Sequence, residues 1–284
     1  PPAMWIDTHC HWDAAEFGDS QQATAWRVQA REAGVSTCVV PAVHAANFET
    51  VRDWAHAHND VYALGIHPLY AATAGEADLS RLDACLTAWH GDPRLVAVGE
   101  IGLDGWIPEL QTPNAIAHAE ALYRAQLRLA KKHGLPVILH VRKSADRLLK
   151  HLREIPVSGG IAHAFNGSAV QAAAFIDRHF CLGFGGTVTF EGANQIRTLA
   201  KSVPETGFVL ETDAPDIPPS WLYVTAERRR AGVLAPPNAP TQLPRIAEVF
   251  ATLRGTTAPV VALQNAANAS RVLPRLGAIT SQRQ

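Results

Sequence analysis

The feature that most constrains this chain is a rhythm: a short apolar run followed by a longer amphipathic stretch, repeated about eight times. The runs cover residues 5–9, 37–42, 61–66, 95–100, 136–140, 160–163, 180–184 and 208–213. They are continuously apolar and do not alternate, the pattern of parallel strands covered on both faces. Between them, residues 24–33, 48–58, 78–89, 114–133, 145–153 and 169–178 predict helices. About eight strand-then-helix units predict an α/β fold closed into a single (β/α)8 TIM barrel, not an open sheet. A length of 284 residues suits one such barrel. No linker divides the chain, so one domain over residues 1–284 is expected. A proline-rich loop from Pro215 to Pro240 follows the last run, and two further helices, 243–254 and 258–272, close the fold.

Composition narrows the function classes. Lysine plus arginine is 25 and aspartate plus glutamate is 26, so the basic excess that grips long nucleic acid by its phosphates is missing. A nucleic-acid substrate would have to be held locally. The four cysteines, Cys10, Cys38, Cys85 and Cys181, form no CxxC pair, which fits a reducing compartment better than a disulfide framework. The opening Pro1-Pro2-Ala3-Met4-Trp5 has neither the basic nor the apolar region of a secretory signal, and no apolar run reaches membrane-spanning length. A cytoplasmic protein is expected, with no membrane and no obligate protein partner.

The chemistry sits where the apolar runs end. The first closes on Asp7-Thr8-His9-Cys10-His11. Side chains at i and i+2 of an extended strand share a face, so His9 and His11 could grip one metal. His56 and His58 repeat the spacing inside a helical stretch, where the two side chains diverge; that pair belongs to the surface. The other ends supply Glu100, His140, His163 and Asp213. In a barrel the carboxyl ends of the strands form the active-site face, so four histidines and two carboxylates are expected to converge there. Burying them together without partners would be costly. Imidazole and carboxylate suit Zn, Mn, Fe or Ni better than Ca. One metal takes three or four of these ligands, so six suggest two metals.

With these pieces in view the chain resembles the TatD family of metal-dependent, deoxyribonuclease-type hydrolases within the amidohydrolase superfamily. The matching segments are Ile6-Asp7-Thr8-His9-Cys10-His11, Leu64-Gly65-Ile66-His67-Pro68, Val98-Gly99-Glu100-Ile101-Gly102-Leu103-Asp104, Pro136-Val137-Ile138-Leu139-His140, Ala162-His163-Ala164-Phe165-Asn166-Gly167-Ser168 and Leu210-Glu211-Thr212-Asp213-Ala214-Pro215. The resemblance implies roles by position. His9, His11 and Asp213 would hold one divalent ion, His140 and His163 a second, and Glu100 would bridge them. The ions would be Zn, Mg, Mn or Ni, two per chain. Asp213 would also serve as base toward the attacking water. Two ions about 3.5–4 Å apart lower the pKa of such a water toward roughly 7. Arg142 and His67 match family positions where substrate contact is plausible. For each a bland role, as a surface arginine or a capping histidine, stays open. Asp7 reads as a group orienting a metal ligand from behind or, equally, as a buried structural carboxylate.

The implied activity is hydrolysis of phosphodiester bonds in DNA by a metal-activated water. The same metal pair would serve a hydrolase of a small-molecule ester, lactone or amide. A metal-binding scaffold without catalysis is the reading from a third class. Trp106 and Phe165 could stack a base, with ordinary packing as the plainer reading. Gly183-Phe184-Gly185-Gly186 reads as a turn, Arg228-Arg229-Arg230 as a solvated helix face, and Lys143, Arg147, Lys150 and Arg153 as a basic stretch along one helix. The loop Gly105-Trp106-Ile107-Pro108 is less polar than the family usually shows.

Overall fold

A computed structural model of the chain describes residues 4–281; the Pro1-Pro2-Ala3 start of the segment read as no secretory signal lies outside them. Eight parallel strands follow one another in chain order: β1 (Trp5–Asp7), β2 (Val35–Pro41), β3 (Val61–Leu64), β4 (Leu95–Asp104), β5 (Val137–Arg142), β6 (Gly160–His163), β7 (Phe180–Phe184) and β8 (Phe208–Leu210). The helices that return the chain between them are α1 (Ser20–Glu32), α2 (Phe48–His58), α3 (Glu76–Ala88), α4 (Pro113–His133), α5 (Ala145–Glu154), α6 (Ala169–Ile176) and α7 (Asn194–Ser202). After β8 come α8 (Ala226–Arg230), α9 (Leu243–Leu253), α10 (Ala258–Val272) and α11 (Pro274–Ser281). The barrel expected from the rhythm of the sequence is thus the observed architecture. Among the described residues no single helix is long and apolar enough to cross a membrane.

Local chemistry sets the helix ends. The Asp19 side chain accepts from the Gln22 amide while the Gln22 side chain accepts from the Asp19 amide, a reciprocal cap that starts α1. Thr112 caps α4, Pro113 follows at its first position, and Gly134 ends it at φ +65°. Ser168 and Gln171 repeat the reciprocal cap on α6.

One apolar cluster takes a residue from every strand, Ile6, Val39, Val61, Val96, Ile138, Ile161, Cys181 and Val209, and joins them to Val272, Leu273 and Leu276. It is the filling of the barrel. It is sealed by the α10–α11 corner, which packs on β1, β4, β7 and β8. That seal leaves the opposite mouth, at the carboxyl ends of the strands, for chemistry. A larger cluster packs the outer faces of the strands against the surrounding helices.

The seam between β8 and β1 closes by other means than a regular ladder. Leu210 N–H donates to Asn265 Oδ1 at 2.8 Å, and Asn265 Nδ2 donates to the Ile6 carbonyl at 2.9 Å. A buried amide on α10 thereby stands in for strand pairing. Higher up, Thr8 N–H donates to Leu210 O and Asp213 N–H to His9 O, which draws the ends of the first and last strands together.

Several strand ends differ from the expectation: β2 stops at Pro41, β3 at Leu64, and β5 runs on to Arg142. β1 stops at Asp7 and β8 at Leu210, because the chain bends at Thr8 and Asp213 turns to φ +53°. β4 runs four residues past Glu100 to Asp104. Its register against β5 slips between Val98 and Ile101, so three residues of β4 face two of β5. That bulge re-aims the side chain at Glu100.

Candidate metal centre and pocket

At the carboxyl mouth the elements above bring six polar side chains into contact. His9 Nε2 lies 3.1 Å from His11 Nε2 and 2.9 Å from Glu100 Oε1. His11 Nε2 lies 3.4 Å from both Glu100 Oε1 and Asp213 Oδ1. The other Glu100 oxygen, Oε2, is 2.9 Å from His140 Nδ1 and 3.7 Å from His163 Nε2. Asp213 Oδ1 reaches His163 Nε2 at 3.6 Å and His9 Nε2 at 3.5 Å. Glu100 therefore lies between two groups, His9 and His11 on one oxygen and His140 and His163 on the other. His9 and His163 stack with ring centroids 3.5 Å apart.

Burial and charge decide the protonation here. His9 is fully buried, and burial together with the nearby His163 lowers its pKa, so the ring is neutral. Burial alone would raise the pKa of Glu100, but the surrounding histidines outweigh it and hold the carboxylate well below its ordinary range. Asp213 is held down in the same way, first by His163 and then by the hydrogen bond from His11. Burial works against protonation of His11, yet the hydrogen bonds to Asp213 and Glu100 push its pKa well up. His163 rises to about 10, with burial opposed by the charges of Glu211, Asp213 and Glu100. Two buried carboxylates thus draw positive charge into the site, and in the protein alone protons on imidazoles supply it.

These donors fit a metal. Asp104 Oδ2 accepts from His140 Nε2 at 2.8 Å. Burial opposes a second proton on His140, yet the hydrogen bonds to Asp104 and Glu100 raise its pKa, so in the protein alone a proton lies between Nδ1 and Glu100 Oε2, 2.9 Å apart, at a position that a metal ion could take instead. His9 Nδ1 is buried with no hydrogen-bond partner. Three clusters have ligand atoms within 4.8 Å of one another: His9, His11 and Glu100; His9, His163 and Glu211; His67, Glu100 and His140. In the last, His67 Nδ1 accepts from the Leu69 amide at 3.0 Å. Neutral His67, its pKa lowered chiefly by burial, must carry its proton on Nε2, 3.1 Å from Glu100 Oε2. His67 is a donor toward Glu100 and has no lone pair free for a metal.

Two carboxylates that sequence reasoning left without a role stand behind the histidines. Asp104 holds His140. Glu211 Oε1 lies 2.8 Å from His163 Nδ1 and accepts from the Ala164 amide. Both sat in quoted motifs, and the signal that could have found them is the spacing: Glu211 two residues before Asp213, Asp104 four after Glu100. The Gly183 stretch, read as a turn, makes room for this arrangement, because a Cβ at Gly183 would lie 2.4 Å from Glu211 Oε2. Asp7 touches none of the six side chains. It accepts from the amides of His9 and Thr212 and from the Thr212 hydroxyl, binding the backbone beside both His9 and Asp213.

The cluster opens into a pocket of about 660 Å³ lined by His11, His67, Glu100, His140, His163 and Asp213 below and by Trp106, Arg142 and Lys143 at the mouth. Trp106 is 54% exposed and is not packed into the core, whereas Phe165 is buried against Phe175. Lys143 precedes α5 and turns at φ +49°, outside the helix expected to carry it, and Arg147 within that helix pairs with Glu120. His56 is exposed and His58 half-buried on α2. Arg228, Arg229 and Arg230 lie exposed on α8.

Comparison with known proteins gives consistent findings. The model of a family described as "TatD related DNase" matches residues 6–274. The uncharacterized metal-dependent hydrolase YjjV of Escherichia coli K12 is 36% identical over 263 residues, covering 91% of this chain and 93% of that protein. The crystal structure of that TatD homolog superposes with a TM-score of 0.84 over 96% of this chain and 98% of its own, at 34% identity. A protein of Erwinia tasmaniensis named 3'-5' ssDNA/RNA exonuclease TatD is 32% identical over 250 residues, covering 86% of this chain and 90% of its own length.

Proposed function

The chain belongs to the family of TatD-related DNases and is a metal-dependent hydrolase, and on that footing we propose that it hydrolyses phosphodiester bonds in DNA. One observation carries the reading: two buried carboxylates and four histidines meet at the floor of an open pocket of about 660 Å³, a size that admits a nucleotide. The name of the Erwinia relative supports the choice of bond.

In this proposal His9, His11 and Asp213 hold one divalent ion, His140 and His163 a second, and Glu100 is shared between them. When bound, such ions would supply Lewis acidity and a place where water loses its proton near neutral pH. The residues of the chain do the rest. Asp213 is held ionised and is the group to accept that proton. His67 keeps its Nε2 proton toward Glu100 Oε2, so the shared carboxylate stays oriented across the floor. Asp104 and Glu211 fix the ring angles of His140 and His163. Arg142, exposed at the mouth with Asp104 as its nearest carboxylate at 4.0 Å, is free to bind the phosphate being cleaved.

The test is metal content by elemental analysis, then hydrolysis of single-stranded DNA by the loaded protein with and without EDTA. Cleavage that EDTA abolishes supports the proposal. Loaded protein that leaves DNA intact while hydrolysing a small-molecule ester would overturn it.

A further inference from the structure

The mouth of the pocket carries, beside the Arg142 assigned to the cleaved phosphate, a second cation and an indole that the cleavage step does not use. The Lys143 ammonium sits 4.1 Å from the centroid of the Trp106 ring, and the Arg142 guanidinium carbon sits 5.3 Å from the same centroid. Two cations thus share one indole. Among the described residues no carboxylate pairs with Lys143, and Asp104, the acid nearest Arg142, already takes His140 on one oxygen and the amides of Trp106 and Ile107 on the other. An indole attracts cations through its quadrupole and carries no net charge, so it positions both without neutralising either. A chain with one more acid than base has no general basic surface to explain them.

The platform is fixed in place. Besides the two amides held by Asp104, the Gln111 side chain donates to the carbonyls of Asp104 and Ile107. Gly105 packs against the Lys143 carbonyl so closely that a Cβ there would lie 2.2 Å from it. The loop bearing Trp106 and the turn bearing Lys143 are therefore built against each other, and more than half of Trp106 remains exposed at the pocket mouth.

The geometry points to a subsite for a nucleotide bearing a terminal phosphate. A phosphodiester linkage carries one negative charge, whereas a terminal phosphomonoester carries about 1.5 to 2 at neutral pH. Lys143, which no carboxylate pairs among the described residues, together with Arg142, whose one acid stands 4.0 Å away, matches the second better than the first, and the exposed part of the indole offers a stacking surface for the attached base. The inference rests on the reading of the pocket as a nuclease site and adds to it a preference: strand ends that carry a phosphate are held more tightly than ends that carry a hydroxyl.

The test separates the two readings. Binding of thymidine monophosphate, thymidine and inorganic phosphate is measured by calorimetry on metal-free protein, wild type and the Lys143→Met and Trp106→Ala variants, all of them surface changes. The KM for oligonucleotides with phosphorylated and hydroxyl ends is measured on the metal-loaded protein. Thymidine monophosphate is expected to bind at least about tenfold tighter than thymidine and tighter than inorganic phosphate. Lys143→Met should remove the preference over thymidine. Trp106→Ala should weaken nucleoside and nucleotide alike by about tenfold. Equal binding of thymidine and its monophosphate, or a preference that survives Lys143→Met, overturns the subsite; so does inorganic phosphate binding as well as the nucleotide. The preference without any DNA cleavage keeps the subsite and removes the nuclease. DNA cleavage with the same KM for both kinds of end keeps the nuclease and removes the subsite.

Discussion

Replacing Glu211 by glutamine keeps the shape of a buried side chain and removes one charge from behind His163. The carboxylate lies 2.8 Å from His163 Nδ1 and has a second oxygen with no hydrogen-bond partner. Glutamine can still accept from the Ala164 amide, so the perturbation is electrostatic. The His163 pKa stands at about 10 against 6.5 for a free imidazole, and of the charges that raise it against burial Glu211 is the largest. Losing that one contributor should return roughly one to two pKa units, at about 1.4 kcal/mol each. A fixed negative charge acts on a divalent ion about twice as strongly as on a proton. The loss of metal affinity therefore exceeds what weaker proton competition gives back. The net loss is on the order of 1.4–2.7 kcal/mol, or tenfold to a hundredfold, the range typical of a carboxylate supporting a ligating histidine. The assay is a metal titration against a competing chelator at constant pH, with urea unfolding as a check that the fold is intact. Gly183→Ala should act in the same direction by displacing the same carboxylate. An affinity within about threefold of wild type in both folded variants would refute the reasoning, since a supporting carboxylate is worth at least tenfold.

Other outcomes follow from the same geometry. Glu100→Ala should lose metal and activity together; metal content equal to wild type would remove the shared-ligand reading. Asn265→Ala leaves the Leu210 amide and the Ile6 carbonyl unpaired in the buried seam, so urea unfolding should show about 2–5 kcal/mol of destabilisation, and less than about 1 kcal/mol would mean that the seam closes without it. Asp7 has its pKa raised to about 7, mainly by burial. A raised folded pKa means stability that is present below the unfolded value and lost as pH climbs through the folded one. In metal-free protein that loss falls between about pH 4 and 7 and approaches 4 kcal/mol at most. Asp7→Asn should remove that part of the pH dependence, and parallel stability curves for variant and wild type would contradict it.

Much of the site was legible because parallel strands write their inner ends plainly. A residue such as His140, His163 or Glu100 after an apolar run stands out, and the mouth of a barrel is the place where such ends meet. Spacing alone does not say which atoms face each other. Glu100 looked like a strand terminus and is a bulge inside β4. His67 stood open between a substrate contact and a capping histidine; it lines the pocket and also caps the turn at Pro68–Thr73 through the Leu69 amide, which leaves its Nε2 as a donor toward Glu100. Asp104 and Glu211 were in view as letters of a motif and gained a role only when β4 met β5 and the end of β8 met β6.

What the sequence determined by itself was the number of units, the closed parallel architecture and the residue types at the strand ends, because hydrophobic period and strand-end chemistry are local properties of the chain. The tertiary structure decided what depends on contacts between distant segments. Asn265 completes a seam made of two residues that precede it by 55 and by 259 positions. Protonation in the cluster is set by charges converging from β4, β5, β6 and the ends of β1 and β8. The Trp106 ring is exposed under two cations because its loop is anchored on Asp104 and packed on Lys143. Burial and most of the pairing in the site are relations between segments far apart in the sequence, which no single stretch of it contains.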